Sequence, residues 1–390
     1  MRPASSSRSA SRMPRISRST GPRSREAPMQ RVDARFMREA LRLAARGLGR
    51  TRPNPAVGAV LVKRGAIIGR GYHARCGLPH AEAAAIAAAI ESPRGADLYV
   101  TLEPCGHFGK TPPCAQAIIA AGIARVFYGC PDPNPATAGK GPAMLRKAGI
   151  AVAKGPLAAE ARDFNAPYLT WVGAGRPLVT AKWAMTLDGK IATRTSDSRW
   201  ISGQASRRIA HGLRNTADAV MVGSGTVLAD DPELTCRLPR GRTPLRVILD
   251  RRGRVPLDAR VFATRAKGPV LVYTARAGHA RALAAFGIDA VRVKPARGRG
   301  ALAGILRDLG GRGIHHLLLE GGEALLGAFF DAGLVDRVVV FVAPKIAGGA
   351  IAAGPVGGLG VKNMDDALPL RVRRTLRAGP DIVWWADVIG

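Results

Sequence analysis

The chain has 390 residues, 47% of them hydrophobic, enough to fill two ordinary cores, so two domains are expected. Its formal charge is +31, but the arginines are spread along the whole length and aromatic residues make up only 5%, so no stacking platform is visible and nucleic acid is not an expected partner. Five cysteines do not make a disulfide framework, and no run of about eighteen apolar residues offers a membrane span, so the expected setting is a reducing cytoplasm.

Residues 1–30 are rich in Ser, Arg and Pro, hold Glu26 as their one acid and show no apolar period, which reads as a disordered basic extension. A transit peptide has this composition, and so does a translated leader before a start at Met29 or Met37; the second reading is favoured. Asp33 caps a helix whose apolar face is Phe36, Met37, Ala40, Leu41 and Ala44 and which ends near Gly47. Strands are predicted over 57–63 and 66–69, joined at Arg64-Gly65. A helix begins at His80, behind Pro79, and continues through an alanine-rich stretch to Ile90. The strand 97–102 delivers Glu103, Pro104 and Cys105 at its end. Pro112 and Pro113 then open a helix with Cys114 in its first turn, where the positive end of the helix dipole favours a thiolate.

A strand over 124–128 completes the first half, and 167–177, punctuated by Gly173, Gly175 and Pro177, reads as the inter-domain joint. Strand-like runs follow at 178–183, 219–222, 246–249, 270–273, 314–319 and 338–342 with helical patterns between them, so both halves are α/β. No Gly-x-Gly-x-x-Gly follows a strand, which disfavours a Rossmann domain. Glu320-Gly321-Gly322, between a strand and a helix from Glu323, puts bare amides at a helix N-terminus suited to a cofactor phosphate, although a plain strand-to-helix turn has the same signature.

The chemistry is concentrated in His80-Ala81-Glu82, Cys105 and Cys114. Imidazole and two thiolates suit Zn²⁺, and a set of three ligands leaves a position for water, whose pKa the metal lowers toward about 7. Zinc deaminases divide the labour this way, with a glutamate that does not ligate the metal carrying protons. His80, Cys105 and Cys114 are therefore the expected ligands. Glu82 is the expected acid–base, taking a proton from water and handing it to the departing amine. Residues two apart in mid-helix point to opposite sides, so His80 and Glu82 converge only if His80 sits at the helix start. Cys76, Cys130 and Cys236 are read as ordinary small apolar residues.

Eight residues, not two, separate Cys105 from Cys114. The string Glu103-Pro-Cys-Gly-His-Phe-Gly-Lys-Thr-Pro-Pro-Cys114, with Asn54-Pro55, Val57-Gly58 and Asp132-Pro-Asn-Pro135, resembles the deaminase half of the bifunctional deaminase–reductase family of riboflavin biosynthesis. Lys182-Trp-Ala-Met-Thr-Leu-Asp-Gly-Lys190, Ser198-Arg-Trp-Ile201, Gly223-Ser-Gly-Thr226, Leu228-Ala-Asp-Asp-Pro-Glu-Leu-Thr235 and Glu320-Gly-Gly-Glu323 are similar to its reductase half. The resemblance covers nearly everything from about residue 31 and keeps the family's order.

The resemblance implies a cytidine-deaminase-like domain over 31–175 and a dihydrofolate-reductase-like domain over 176–390, Zn²⁺ and NADPH as cofactors, and a homo-oligomer. The implied reactions are hydrolytic deamination of 2,5-diamino-6-(5-phosphoribosylamino)pyrimidin-4(3H)-one, then reduction of the ribosyl group to give 5-amino-6-(5-phosphoribitylamino)uracil. It points to Asn54, His73, His107 and Lys110 as substrate contacts in the first domain, with Lys110 on the phosphate. In the second domain it points to Ser198, Arg214, Leu234, Arg237 and Glu320 for substrate, the arginines suiting a phosphate and the acid the ribosyl hydroxyls. NADPH contacts are implied at Ala184, Trp200, Thr226, Asp230 and the run Gly322, Glu323, Ala324, Leu325, Leu326, Gly327 and Ala328, and Lys182 is a candidate for assisting proton transfer at the sugar.

Two positions depart from the pattern. Gly106 stands where the family usually has Ser, and Arg251 where it often has a small hydroxyl residue; an arginine there would favour the 2′-phosphate of NADP. Two other readings make distinct predictions: a nucleic-acid-editing deaminase would bind single strands in a salt-sensitive way, and a non-catalytic zinc protein would release no ammonia and consume no NADPH.

Overall fold

The computed structural model describes residues 33–108, 112–294 and 298–389. The basic extension over 1–30 and Lys110 lie outside the described residues.

Strands β1 (Gly58–Lys63), β2 (Ala66–Tyr72), β3 (Asp97–Val100), β4 (Arg125–Tyr128) and β5 (Ala151–Lys154) form the first sheet in the order β2-β1-β3-β4-β5. β1 is antiparallel to both its neighbours, whereas β3, β4 and β5 run parallel. Alternation along β1 divides its side chains between two cores. Val60 and Val62 meet Phe36, Met37, Ala40 and Leu43 of the Ala34–Ala44 helix, while Ala59 and Leu61 meet Ala81, Ala85, Ala115 and Ile118 of the two helices that carry the chemistry. Asp33 caps the first helix through the Arg35 amide, as expected. Leu43, and not Leu41, completes its buried face, because 36, 40 and 43 fall on one side at helical spacing. The helix lies so close to β1 that a Cβ on Gly58 would stand 2.0 Å from the Ala40 carbonyl oxygen.

Several expected boundaries move. β2 continues to Tyr72, the helix behind His80 ends at Ala87, and β3 ends at Val100. β5 and the Lys140–Lys147 and Ala158–Phe164 helices extend the expected pattern. The segment 167–177 is a larger correction, since it is mostly the Ala166–Ala174 helix, closed by Gly175 at φ 63°. Pro167 starts this helix instead of breaking it, because the first turn has no use for its missing N–H.

The second sheet contains β6 (Leu178–Thr186), β7 (Ala219–Gly223), β8 (Leu245–Leu249), β9 (Val270–Thr274), β10 (Asp289–Arg292), β11 (His316–Leu319), β12 (Arg337–Ala343), β13 (Leu370–Ala378) and β14 (Asp381–Val388). Its order is β10-β9-β8-β7-β11-β6-β12-β14-β13, parallel from β10 to β12 and antiparallel in the last two strands. Both faces of the parallel part are covered, one by Leu302, Leu306, Leu309, Leu326 and Phe329, the other by Phe262, Val261 and Leu283. The carboxyl ends of β6, β7, β8 and β11 therefore open on one edge, where crevices for ligands form in such sheets.

The two domains are in direct contact. Arg52 pairs with Asp218 at 3.1 Å, Arg337 and Arg373 both reach Asp163, and the Trp171 indole donates to the Gly310 carbonyl at 2.8 Å. A Cβ on Gly310 would lie 2.2 Å from the Gly175 carbonyl oxygen, so the link between domains rests on bare backbone.

Candidate active sites

In the first domain, His80 is the N-cap of the Ala81–Ala87 helix, with extended backbone (φ −69°, ψ 165°). The chain turns there, so His80 and Glu82 both face one cavity despite being two apart. Cys105 follows β3, and Cys114 is the first residue of the Cys114–Ala120 helix, capped by Pro113. The His80 Nδ1 is 3.1 Å from Cys114 Sγ and 3.7 Å from Cys105 Sγ, and the Cys114 amide donates to Cys105 Sγ at 3.3 Å. All three ligand atoms lie within 4.8 Å of one another. This is the spread that a tetrahedral ion with bonds of about 2.0–2.3 Å requires, so the donor set fits zinc.

The Cys114 hydrogen bond and the His80 imidazole bring the Cys105 thiol down to about 4, while that same hydrogen bond and burial push the Cys114 thiol up. The bond to Cys105 raises the His80 imidazole. Glu82 is buried, and desolvation, helped by the Cys105 thiolate, lifts its carboxyl to about 7. A carboxyl poised there exchanges protons in both directions near neutral pH.

A cavity of about 300 Å³ surrounds these groups, and Asn54, His73 and His107 are among the residues that line it. His73 is oriented on both sides. Its Nδ1 meets the Pro79 carbonyl at 3.1 Å, so Nε2 accepts from the Asn54 amide at 3.0 Å. His107 Nδ1 lies 3.3 Å from Thr137 Oγ1. Asp132, Asn134, Tyr168 and Trp171 are among the lining residues that carried no role from sequence. The Tyr168 hydroxyl donates to Asp132 at 3.1 Å, and the Glu103 carboxylate accepts from the Gly139 amide at 2.6 Å, tying down the loop between them. Gly106 packs against the start of the Lys140–Lys147 helix, and a Cβ there would stand 2.6 Å from the Gly141 nitrogen, which explains why serine is absent.

In the second domain, Glu320 follows β11, Lys182 lies on β6 and Arg214 on the Gln204–Thr216 helix. Arg214 grips Glu320 through two bonds of 2.8 and 2.9 Å, and Lys182 Nζ stands 3.7 Å from the same carboxylate. Burial alone would raise the Glu320 carboxyl, but the two cations outweigh it and hold it at about 2. The Arg214 guanidinium bonds Glu320 and the Thr235 carbonyl through one N–H on each of its three nitrogens, which holds it in place beside the site. Arg237 is exposed beside His211, whose ring nitrogen accepts its amide. The Leu234 side chain is enclosed in the core at φ 57°, so it is the backbone of this residue that faces outward.

Ser198 donates to Asp230 at 3.4 Å, and Thr226 faces Gly322. The Glu323–Asp331 helix starts at Gly322, beside a cavity of about 860 Å³ lined by Gly223, Gly225, Arg251, Arg252, Ala324 and Leu325, large enough for part of a dinucleotide. Within the expected cofactor run, Leu326 is in the core and Gly327 packs on the Gly357 backbone, so neither side faces that cavity. Ala184 packs against the cluster of Val339, Phe341, Ala378 and Val383, and Trp200 is exposed under the Arg207 guanidinium at 4.5 Å.

Residues 177–384 match the model of the RibD C-terminal domain, and residues 30–130 that of the cytidine and deoxycytidylate deaminase zinc-binding region. The riboflavin biosynthesis protein RibD of Aquifex aeolicus is 45% identical over 91% of this chain and 98% of its own length. The chain belongs to the RibD family. The RibD of Escherichia coli K12 is 38% identical over 90% of this chain and 98% of that one. The solved structure of Acinetobacter baumannii RibD superposes with a TM-score of 0.82 at 37% identity, covering 91% and 98% of the two chains. A deaminase/reductase from Thermotoga maritima gives 0.81 at 39% identity over the same shares.

As a RibD-family member the protein is a bifunctional enzyme of riboflavin biosynthesis, a hydrolytic deaminase followed by a reductase, with zinc and NADPH as cofactors. Its fold is a cytidine-deaminase-like domain followed by a dihydrofolate-reductase-like one. Among the described residues no helix is long and apolar enough to cross a membrane.

Proposed function

We propose that the first domain, taken as 31–175, deaminates 2,5-diamino-6-(5-phosphoribosylamino)pyrimidin-4(3H)-one and that the second, 176–390, reduces the ribosyl group of the product. The observation that carries the reading is the convergence of His80, Cys105 and Cys114 within 4.8 Å beside a buried Glu82. His80, Cys105 and Cys114 would hold the zinc, which when bound lowers the pKa of water at its open position. Glu82, with its carboxyl near 7, takes a proton at Oε and returns it to the leaving nitrogen, which departs as ammonia. Asn54, fixed by His73, presents its amide to the pyrimidine edge, and Asp132, Tyr168 and Trp171 enclose the ring. Lys110 and His107 are assigned to the phosphate and ribose.

In the second domain NADPH supplies a hydride to the sugar C1′ when bound. Gly322, Glu323 and Ala324, at the start of their helix, would hold the cofactor phosphates, with Thr226, Asp230, Trp200 and Ala184 around the remainder. Glu320 is an anion locked by Arg214, so it orients ribosyl hydroxyls by accepting their hydrogen bonds, while Lys182, a second cation beside it, is placed to give a proton to the opening ring oxygen. Ser198, Arg237 and the Leu234 backbone complete the substrate contacts.

The cytoplasm is the proposed setting, because two thiolates reserved for a metal need a reducing compartment. A homo-oligomer is proposed from the outer strands of the second sheet: β13 is an edge strand, and Leu370, Val372, Ile382 and Trp384 on β13 and β14 are exposed. Neither proposal calls for nucleic acid.

The test follows NADPH oxidation by wild type and Glu82→Gln. The variant should oxidise NADPH with the deaminated uracil substrate and fail with the diaminopyrimidine. Ammonia release without NADPH consumption from either substrate would remove the assignment of the second domain.

A further inference from the structure

Helix Ala166–Ala174 belongs by sequence to the first domain, yet its contacts belong to both. Tyr168 and Trp171 line the deaminase cavity. On their far side the Trp171 indole N–H donates to the Gly310 carbonyl of the second domain at 2.8 Å. The Trp171 ring also lies on the His315 imidazole, centroids 4.3 Å apart and planes 33° apart, and Tyr168 meets the same imidazole edge-on at 5.8 Å. His315 is buried and is not among the residues lining the deaminase cavity. Asn54 and Tyr168 also border a small second cavity, closed on its other side by Asp218, His315 and His316. Tyr168 and Trp171 therefore touch both the deaminase cavity and His315 of the second domain.

From this geometry we infer that His315 is a positioning residue for the deaminase site: the second domain, through His315 and the Gly310 carbonyl, fixes Trp171 and Tyr168 as the wall against which the aminopyrimidine packs. The inference rests on the deaminase reading above. A wall held on both sides has little rotameric freedom, so the substrate meets a preorganised surface. Burial keeps His315 neutral, which makes the stack one between uncharged rings. Trp171 has two restraints, a directional hydrogen bond and a face contact, and the loss of either frees the side chain to turn into the cavity or away from it. The magnitude is that of one aromatic pair, which corresponds to about a threefold to tenfold change in affinity.

The experiment uses the full chain, zinc-loaded, and compares wild type with His315→Ala, His315→Phe and Trp171→Leu. His315→Ala should raise the KM for ammonia release about threefold to tenfold, with kcat, zinc content and the KM for the deaminated substrate in NADPH oxidation unchanged. His315→Phe retains a ring under Trp171 and should restore the KM, and Trp171→Leu should raise it at least as much as His315→Ala. An unchanged KM in His315→Ala overturns the inference, as does a rise that His315→Phe does not reverse. If His315→Ala fails to fold, His315→Gln, which keeps most of the volume but removes the ring, takes its place: it should raise the KM for ammonia release about threefold to tenfold, and an unchanged KM overturns the inference. Absence of ammonia release from the wild type would instead overturn the deaminase reading itself, so the two failures are distinct.

Discussion

Replacing Glu320 by glutamine keeps the shape of the side chain and removes its charge, leaving the Arg214 guanidinium and the Lys182 ammonium beside a neutral amide. Arg214 and Glu320 are 15% and 9% exposed, so little water is available to replace the lost partner. Removing one member of a buried ion pair costs about 3–5 kcal/mol. The displacement of the Glu320 carboxyl from its ordinary 4.5 to about 2 gives a comparable figure, roughly 3 kcal/mol.

Because the folded value is depressed, this stability is fully present above about 4.5 and is lost as pH falls toward about 2. Urea unfolding followed by tryptophan fluorescence is the suitable assay, since Trp183, Trp200, Trp384 and Trp385 all lie in the second domain and only Trp171 in the first. The variant should unfold at lower urea near neutral pH, and the gap from wild type should narrow on acidification. NADPH oxidation should fall, with ammonia release retained. A difference below about 1 kcal/mol, or one that stays constant down to acid pH, would refute the view that the ion pair is a strongly coupled buried unit.

Chelation, or Cys114→Ser, should abolish ammonia release and reduce bound zinc, measured by atomic absorption, while NADPH oxidation with the deaminated substrate continues. Gly106→Ser should destabilise the first domain by about 1–3 kcal/mol and weaken zinc retention, read by urea unfolding and metal release, because the new Cβ would stand 2.6 Å from the Gly141 nitrogen. His315 and His316 are held neutral by burial, each lowered to about 4, so the folded protein refuses protons that the unfolded chain accepts below about 6.5. Thermal melts should therefore show stability falling as pH drops from about 6.5 to 4, and the combined His315→Phe, His316→Gln variant should show a flatter dependence.

The metal cluster was legible in the sequence because its parts are local: a histidine that must cap its helix, a cysteine delivered by a strand end, and another behind a proline pair. Tyr168 and Trp171 were hidden by Pro167, Gly173 and Gly175, which have the composition of a joint although Pro167 and Gly175 mark the two ends of a helix. The commitment of Arg214 to Glu320 depends on a contact across 106 residues of chain, which no local pattern reports. Leu234 sat in a matching string, but its positive φ turns the side chain into the core. β13 and β14 escaped notice because arginines interrupt the first and only alternate residues of the second are buried, a pattern that a search for continuous apolar runs passes over.

Asp163, on the first domain, is gripped by Arg337 and Arg373 of the second, close to the helix that carries Trp171. Cutting the gene at the short stretch from Gly175 to Pro177 would release one fragment with an uncovered indole and an unneutralised carboxylate, and another with Arg337 and Arg373 left to share Asp387 and with a bared His315. The halves are therefore poor candidates for exchange as cassettes. A chimaera that takes its deaminase from one relative and its reductase from another would need to carry Asp163, Tyr168 and Trp171 together with the Gly310 to His315 turn, Arg337 and Arg373 from a single parent.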